Sequence, residues 1–250
     1  MNTISAIVMA GGKGTRMGSE KPKVLHEVGG SPMIFHTLNT LNEVGIEDVF
    51  VVVSHKADEV IDTVAPEYRV EFAHQLEPLG TGDAVKSALL RMKFEYETVM
   101  VLGGDDSAFY TPGTLIEFIN SHYDSQSVVS IMTLEDPEKE KMGKVFRTEM
   151  DEFDQLLEYS DYSSLNLSSS EVNCGVYLFN HQWLMDNIDQ LEKNPVKGEY
   201  YLTELLNMAK LQGERINIYK LENKDEWFGV NTPEELEMAN RQFAKKGGLD

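Results

Sequence analysis

The first half of the chain alternates short apolar, β-branched runs with longer stretches of helical spacing. Ile4–Met9, Val49–Ser54, Val70–Ala73, Val99–Gly103 and Val128–Thr133 are bounded by breakers and predict strands. Between them, helices are predicted at about Pro32–Val44, Ala57–Val64, Thr81–Arg91 and Pro112–His122. Such alternation predicts an α/β fold, a Rossmann-like domain with a mixed, mostly parallel sheet flanked by helices. Ser31-Pro32, Thr111-Pro112 and Thr232-Pro233 each offer a capping hydroxyl followed by proline at the first helical position. Glu235 adds the capping-box glutamate to the last of these.

After Leu134 the rhythm breaks. Glu135–Glu171 holds eleven acids against four bases and includes the serine-rich stretch Ser160–Ser170. Strand-like pieces near Lys144–Arg147 and Gln155–Tyr159 predict a small antiparallel β and loop insertion at 135–171 within a single domain, 1–245. A buried strand is expected at Val172–Phe179, helices near Gln182–Leu191 and Tyr201–Gln212, a strand at Ile216–Leu221 and a closing helix at Pro233–Lys245. The last residues, 246–250, read as a frayed tail.

Composition narrows the function classes. The 250 residues carry 22 Lys+Arg against 42 Asp+Glu, a formal charge of −20. That excess argues against nucleic acid or an anionic membrane as partner, both of which need basic surfaces. No apolar run is long enough to span a bilayer, and the apolar start has no basic flank typical of a signal peptide. The single cysteine, Cys174, excludes an internal disulfide, and a cytoplasmic setting is expected. The six histidines show no zinc spacing, and no serine sits in a Gly-x-Ser-x-Gly elbow. The charge is uneven: residues 1–25 hold Lys13, Arg16, Lys21 and Lys23 against Glu20 alone, a local +3.

That basic segment follows the first strand as Ala10-Gly11-Gly12-Lys13-Gly14-Thr15-Arg16-Met17, then Lys21-Pro22-Lys23-Val24-Leu25. Closely spaced glycines let backbone N–H groups approach a ligand, and the cations suit a polyphosphate. A ligand-free glycine turn is the competing reading of the loop alone. Walker and dinucleotide fingerprints both fail, the latter because Met17 stands where glycine is required. Three further segments bear polar chemistry. Gln75-Leu76-Glu77-Pro78-Leu79-Gly80-Thr81-Gly82 enters a helix with Thr81 as candidate cap, Gly103-Gly104-Asp105-Asp106 ends a strand, and Gly229-Val230-Asn231 precedes the Thr232 cap.

Together these segments resemble the sugar-1-phosphate nucleotidyltransferases, in particular the uridylyltransferase domain of bifunctional N-acetylglucosamine-1-phosphate uridylyltransferases. The resemblance runs from Ile4 to about Arg241. It implies a glycosyltransferase-A-like nucleotidyltransferase domain and Mg²⁺-assisted transfer of a nucleotidyl group from an NTP, UTP first, to a sugar 1-phosphate. In that reading Arg16 and Lys23 are catalytic. Ala10, Gly11, Gly12, Lys13, Gly14, Thr15, Gln75, Gly80 and Thr81 bind nucleotide, and Asp105 and Asn231 hold the metal. Gly104, Gly143, Glu158, Asn173, Glu199 and Tyr200 face the sugar. Met142-Gly143-Lys144 and Asn173-Cys174-Gly175 depart from the family's Tyr-Gly-Arg and Asn-Thr-Gly, and Asp106 is either a further acid near the metal or a turn residue. Bifunctional relatives continue into a left-handed β-helix acetyltransferase. These 250 residues contain no hexapeptide repeat, so acetyltransfer and trimerisation through that helix are not expected of them. A monomer or small homo-oligomer is expected. Glucose 1-phosphate as acceptor, a CTP-dependent enzyme and a non-catalytic nucleotide-binding descendant are the competing expectations.

Overall fold

A computed structural model describes residues 3–92, 96–105, 109–139, 141–165 and 167–246. The tail 247–250 and Asp106 lie outside the described residues, so the expectations placed on them have no counterpart here. In chain order the elements are β1 (Ile4–Met9), β2 (Glu27–Val28), β3 (Ser31–Pro32), α1 (Met33–Val44), β4 (Val49–Val53), α2 (Ala57–Val64), β5 (Glu71–His74) and α3 (Thr81–Leu89). There follow β6 (Thr98–Gly103), α4 (Pro112–Ser125), β7 (Val129–Glu135), β8 (Lys144–Arg147), β9 (Phe153–Leu157), α5 (Tyr159–Ser164), β10 (Glu171–Asn180) and α6 (His181–Asn187). The chain closes with α7 (Glu204–Leu211), β11 (Ile216–Leu221) and α8 (Pro233–Lys246).

The main sheet runs β11-β7-β10-β6-β1-β4-β5. All neighbours are parallel except β10, which lies antiparallel between β7 and β6. Alternation along β1 explains the mostly apolar runs. Ala6 and Val8 point into one core with Ile34, Leu41 and Phe118 of α1 and α4, while Ile7 points into a second core with Val85, Leu184 and Leu205 of α3, α6 and α7. Both faces are buried, so neither needs polar residues. The β8–β9 hairpin is attached to the sheet through the Val172–Lys144 pair at the end of β10. Part of the serine-rich stretch forms α5.

Two of the three expected caps are present. Thr111 Oγ1 accepts the Thr114 N–H at 3.2 Å, and Thr232 with Glu235 forms the reciprocal box, at 3.2 and 3.1 Å. Each such cap stabilises its helix by about 1 kcal/mol. Ser31 caps nothing. Ser31-Pro32 pairs with Glu27-Val28 as a two-stranded hairpin, and Pro32 has an extended ψ of 138°, so α1 begins one residue later at Met33. Proline fixes φ but leaves ψ to the surroundings, and here the hairpin decides it.

Candidate active site

The loops that leave β1, β5 and β6 emerge at the carboxyl ends of parallel strands in one half of the sheet. This is where open α/β sheets bind ligands. They border a cleft of about 720 Å³ lined by Gly11 to Arg16, Lys23, Gln75, Gly80, Thr81, Asp105 and Asn231 at one side. Gly143, Glu158, Asn173 and Glu199 line it from the β8–β10 side and the 194–203 loop.

At the basic end, Lys23 Nζ donates to Asn231 Oδ1 at 2.8 Å and forms an ion pair with Asp105. Arg16 donates to the same Asn231 oxygen at 2.8 Å. Residues separated by up to 215 positions thus meet around one carboxamide. Glu235 accepts the Asn231 N–H at 2.6 Å, so the helix cap that starts α8 also anchors the loop presenting this oxygen. Lys13 is exposed at the tip of the glycine loop. Gly11 permits the loop to pass close to β4: a Cβ there would stand 2.9 Å from Ser54 Cβ.

The donor set fits Mg²⁺. Asp105 and Asn231 supply one carboxylate and one carbonyl-type oxygen, both hard donors, and both already address a single cationic atom, Lys23 Nζ. Among the described residues no three His, Cys, Asp or Glu side chains gather into a metal-binding group, which leaves remaining positions to phosphate and water.

Gln75 and Gly80 are joined. Gln75 Nε2 donates to Gly80 O at 3.0 Å and to Asp83 Oδ2 at 2.8 Å. Gly80 has φ 103° and precedes α3. The expectation that Thr81 caps this helix is corrected: no side chain caps it, Thr81 is its first residue, and its hydroxyl accepts the Leu202 N–H at 3.0 Å. Tyr200 donates its N–H to Leu79 O at 2.7 Å, and its carbonyl accepts from Gly82 N at 2.8 Å. The 75–83 and 199–203 loops are therefore laced together through backbone.

On the far side, the Thr203 hydroxyl donates to Glu158 Oε1 at 3.2 Å. Burial raises the Glu158 carboxyl above its ordinary value, the Thr203 bond works the other way, and neighbouring Asp161 and Glu204 raise it further. Burial, with Glu199 and Glu158 nearby, also raises the Tyr201 phenol. Asn173 lies at a bulge in β10, where the register with β7 shifts before Tyr177. Its Nδ2 donates to the Tyr177 hydroxyl at 2.6 Å and its Oδ1 accepts from Gly175 N at 2.8 Å. A bulge re-aims side chains, and this one directs Asn173 at the cleft.

Three residues expected at the site are not on its wall. Ala10 is 3 % exposed and bonds Val52 O at 2.8 Å behind the loop. Gly104 is buried and donates to Met9 O at 3.0 Å, continuing the strand end. Tyr200 contributes backbone, its ring lying beneath Lys193 Nζ at 5.4 Å. Conversely, Tyr177, Tyr201 and Thr203 line the cleft without having been expected there. Thr203 lies four residues after the expected Glu199 on the same loop; Tyr177 had no signal, because it reads as one more residue of a buried strand.

The nucleotidyl transferase family profile matches residues 5–246. The bifunctional protein GlmU of Lactococcus lactis subsp. cremoris strain MG1363 is 35% identical over 241 residues, covering 96% of this chain and 52% of that protein. GlmU of Exiguobacterium sp. strain AT1b is likewise 35% identical over 241 residues, 96% of this chain and 53% of its own length. The chain thus spans about half the length of the curated relatives it matches. In fold, it is similar to a protein from Bacillus anthracis named for glucose-1-phosphate thymidylyltransferase activity and bound to sucrose. That match has a TM-score of 0.80 and 18% identity over 96% of this chain and 98% of that one. HddC from Yersinia pseudotuberculosis with GMP-PN gives a TM-score of 0.72 and 22% identity over 96% and 99%. With the profile spanning nearly every residue and these identities extending over 241 of them, the chain belongs to the nucleotidyl transferase family.

Proposed function

We propose that this chain transfers a nucleotidyl group from UTP to a sugar 1-phosphate, N-acetylglucosamine 1-phosphate in the first instance, and releases pyrophosphate. The observation that carries the reading is the meeting of Lys23, Arg16, Asp105 and Asn231 at one end of a cleft whose other end is lined by Glu158, Asn173 and Glu199. Cations at one end suit a triphosphate, and hydrogen-bonding groups at the other suit hydroxyls and an amide.

A phosphate oxygen of the acceptor attacks the α-phosphorus in line. The bond to the bridging oxygen toward the β-phosphate breaks, and pyrophosphate leaves with that electron pair. No protein nucleophile is needed, so positioning and charge neutralisation are the work of the chain. Lys13 and Arg16 hold the β- and γ-phosphates, with the 10–15 loop wrapping them. Lys23 neutralises charge at the α-phosphate. Gln75, Gly80 and Thr81 border the base. Glu158, Asn173 and Glu199 receive the sugar beside Gly143, in a wall shared by the acidic insertion 135–171, β10 and the 194–203 loop. Asp105 and Asn231 would hold Mg²⁺, which when bound supplies charge neutralisation between the two phosphate-bearing substrates.

The test is a matrix of four NTPs against N-acetylglucosamine 1-phosphate, glucose 1-phosphate and a polyol phosphate, read as pyrophosphate release with Mg²⁺. UTP with the N-acetylated sugar is expected to be fastest. Silence across the whole matrix would overturn the reading, and a CTP or glucose 1-phosphate maximum would move it to a neighbouring substrate pair. Among the described residues no helix is long and apolar enough to cross a membrane.

A further inference from the structure

We infer that Asp83 is a positioning residue that makes the cleft prefer a base with an imide N–H, uracil or thymine, over cytosine. The inference rests on the proposed role of Gln75 at the base. Gln75 is 7 % exposed at the end of β5. Its amide has two N–H protons, and both are committed: one to Gly80 O at 3.0 Å and one to Asp83 Oδ2 at 2.8 Å. The Oε1 atom lies on the Gly11 side, 3.5 Å from where a Cβ on that residue would stand. Both Gln75 and Gly11 line the cleft, and among the described residues nothing donates to Oε1.

The orientation is forced by chemistry. Turning the amide over would set Oε1 against two acceptors, a carboxylate and a carbonyl, and lose both hydrogen bonds. Gly80 O alone would hold one proton; the Asp83 carboxylate, unable to donate, closes the alternative. The cleft therefore meets a fixed acceptor. The N3–H of uracil or thymine can donate to it, whereas N3 of cytosine is itself an acceptor and would face it lone pair to lone pair. A buried site arranged for one hydrogen-bond pattern rejects the inverted pattern strongly.

Replacing Asp83 by asparagine keeps the size but adds a donor, so that Gly80 O alone opposes a turned-over Gln75 amide. Titration calorimetry of the full chain with UTP and CTP, in the presence of Mg²⁺, should show tighter UTP binding by the wild type. In D83N that preference should fall at least about tenfold; D83E should keep it. A purely structural role for Asp83, in the first turn of α3, would weaken both nucleotides together and leave the ratio unmoved. A second measurement needs no variant: 3-methyl-UTP, which lacks the N3–H, should bind the wild type at least about tenfold more weakly than UTP. The inference is overturned by an unchanged UTP:CTP ratio in D83N, by equal binding of the methylated nucleotide, or by a wild type that binds CTP as well as UTP or binds neither. Its failure is separable from that of the transfer reading. Pyrophosphate release with an unchanged ratio rejects only the role of Asp83. A preference that collapses in D83N without any pyrophosphate release rejects only transfer.

Discussion

Lys23 and Asn231, 208 positions apart, share a hydrogen bond of 2.8 Å, and the same ammonium group pairs with Asp105. The lysine therefore stands between the two oxygens suited to hold a divalent cation. Under the metal-holding role proposed for these oxygens, it competes with Mg²⁺ for both in the nucleotide-free chain.

Replacing Lys23 with methionine should consequently have two opposite effects. Pyrophosphate release should fall by at least about 100-fold, the ordinary cost of removing one donor to developing charge. Affinity of the nucleotide-free chain for Mn²⁺, followed by electron paramagnetic resonance, should rise by roughly tenfold, a coupling of ~1–3 kcal/mol. Turnover near the wild-type rate would remove Lys23 from the reaction.

Gly80→Ala should disturb both halves of the cleft. At φ 103° an alanine is strained, and its Cβ would stand 2.6 Å from Tyr200 O and 2.9 Å from Tyr200 N. The backbone lacing between the 75–83 and 199–203 loops has to open. We expect a loss of ~1–3 kcal/mol in thermal or urea unfolding. KM should rise for nucleotide and acceptor together; a rise for one alone would show that the loops are not mechanically joined.

Glu158 carries a stability penalty. Its folded-state carboxyl titrates above the unfolded one, so the folded chain binds more protons in the window between the two. Stability falls as pH rises through that window and stays lower above it. Glu158→Gln, which retains an acceptor for Thr203, should melt at or above the wild-type temperature at pH 7 to 8. That gain should vanish below the ordinary carboxylate range, while KM for the sugar 1-phosphate rises about tenfold. Melting curves across pH, with acceptor kinetics, check both.

His122 behaves in the opposite sense. It is 3 % exposed, its Nδ1 lies 2.7 Å from Ser130 Oγ, and burial lowers its pKa from 6.5 to about 4. The unfolded chain takes up this proton first. Stability is fully present above about pH 6.5 and is lost as pH falls toward 4, by ~3 kcal/mol. His122→Asn, which can keep the Ser130 contact, should flatten that part of the profile in urea titrations.

Much of the architecture was legible because both faces of the sheet are covered. β1, β4, β6 and β7 had to be mostly apolar runs, and their breakers marked the ends within a residue or two. The glycine loop and Asp105 were legible too, since a loop at the carboxyl end of a strand is a local feature. Ser31-Pro32 misled because cap chemistry is also hairpin chemistry, and only the pairing with Glu27-Val28 distinguishes them. Thr81 misled in the same way. Its hydroxyl was free to serve its own helix, yet an N–H 121 positions away takes it.

The sequence by itself determined the two-faced α/β sheet, the local basic charge in an acidic chain and the residue types proposed to hold a nucleotide. These depend on alternation and short spacing, which a linear string contains. Tertiary structure alone decided that Lys23 lies between Asp105 and Asn231, that Thr203 donates to Glu158, and that Asp83 turns the Gln75 amide. Each of these is a directional contact of about 3 Å, and no spacing along the chain specifies which way a side-chain dipole will point until packing has brought the partners together.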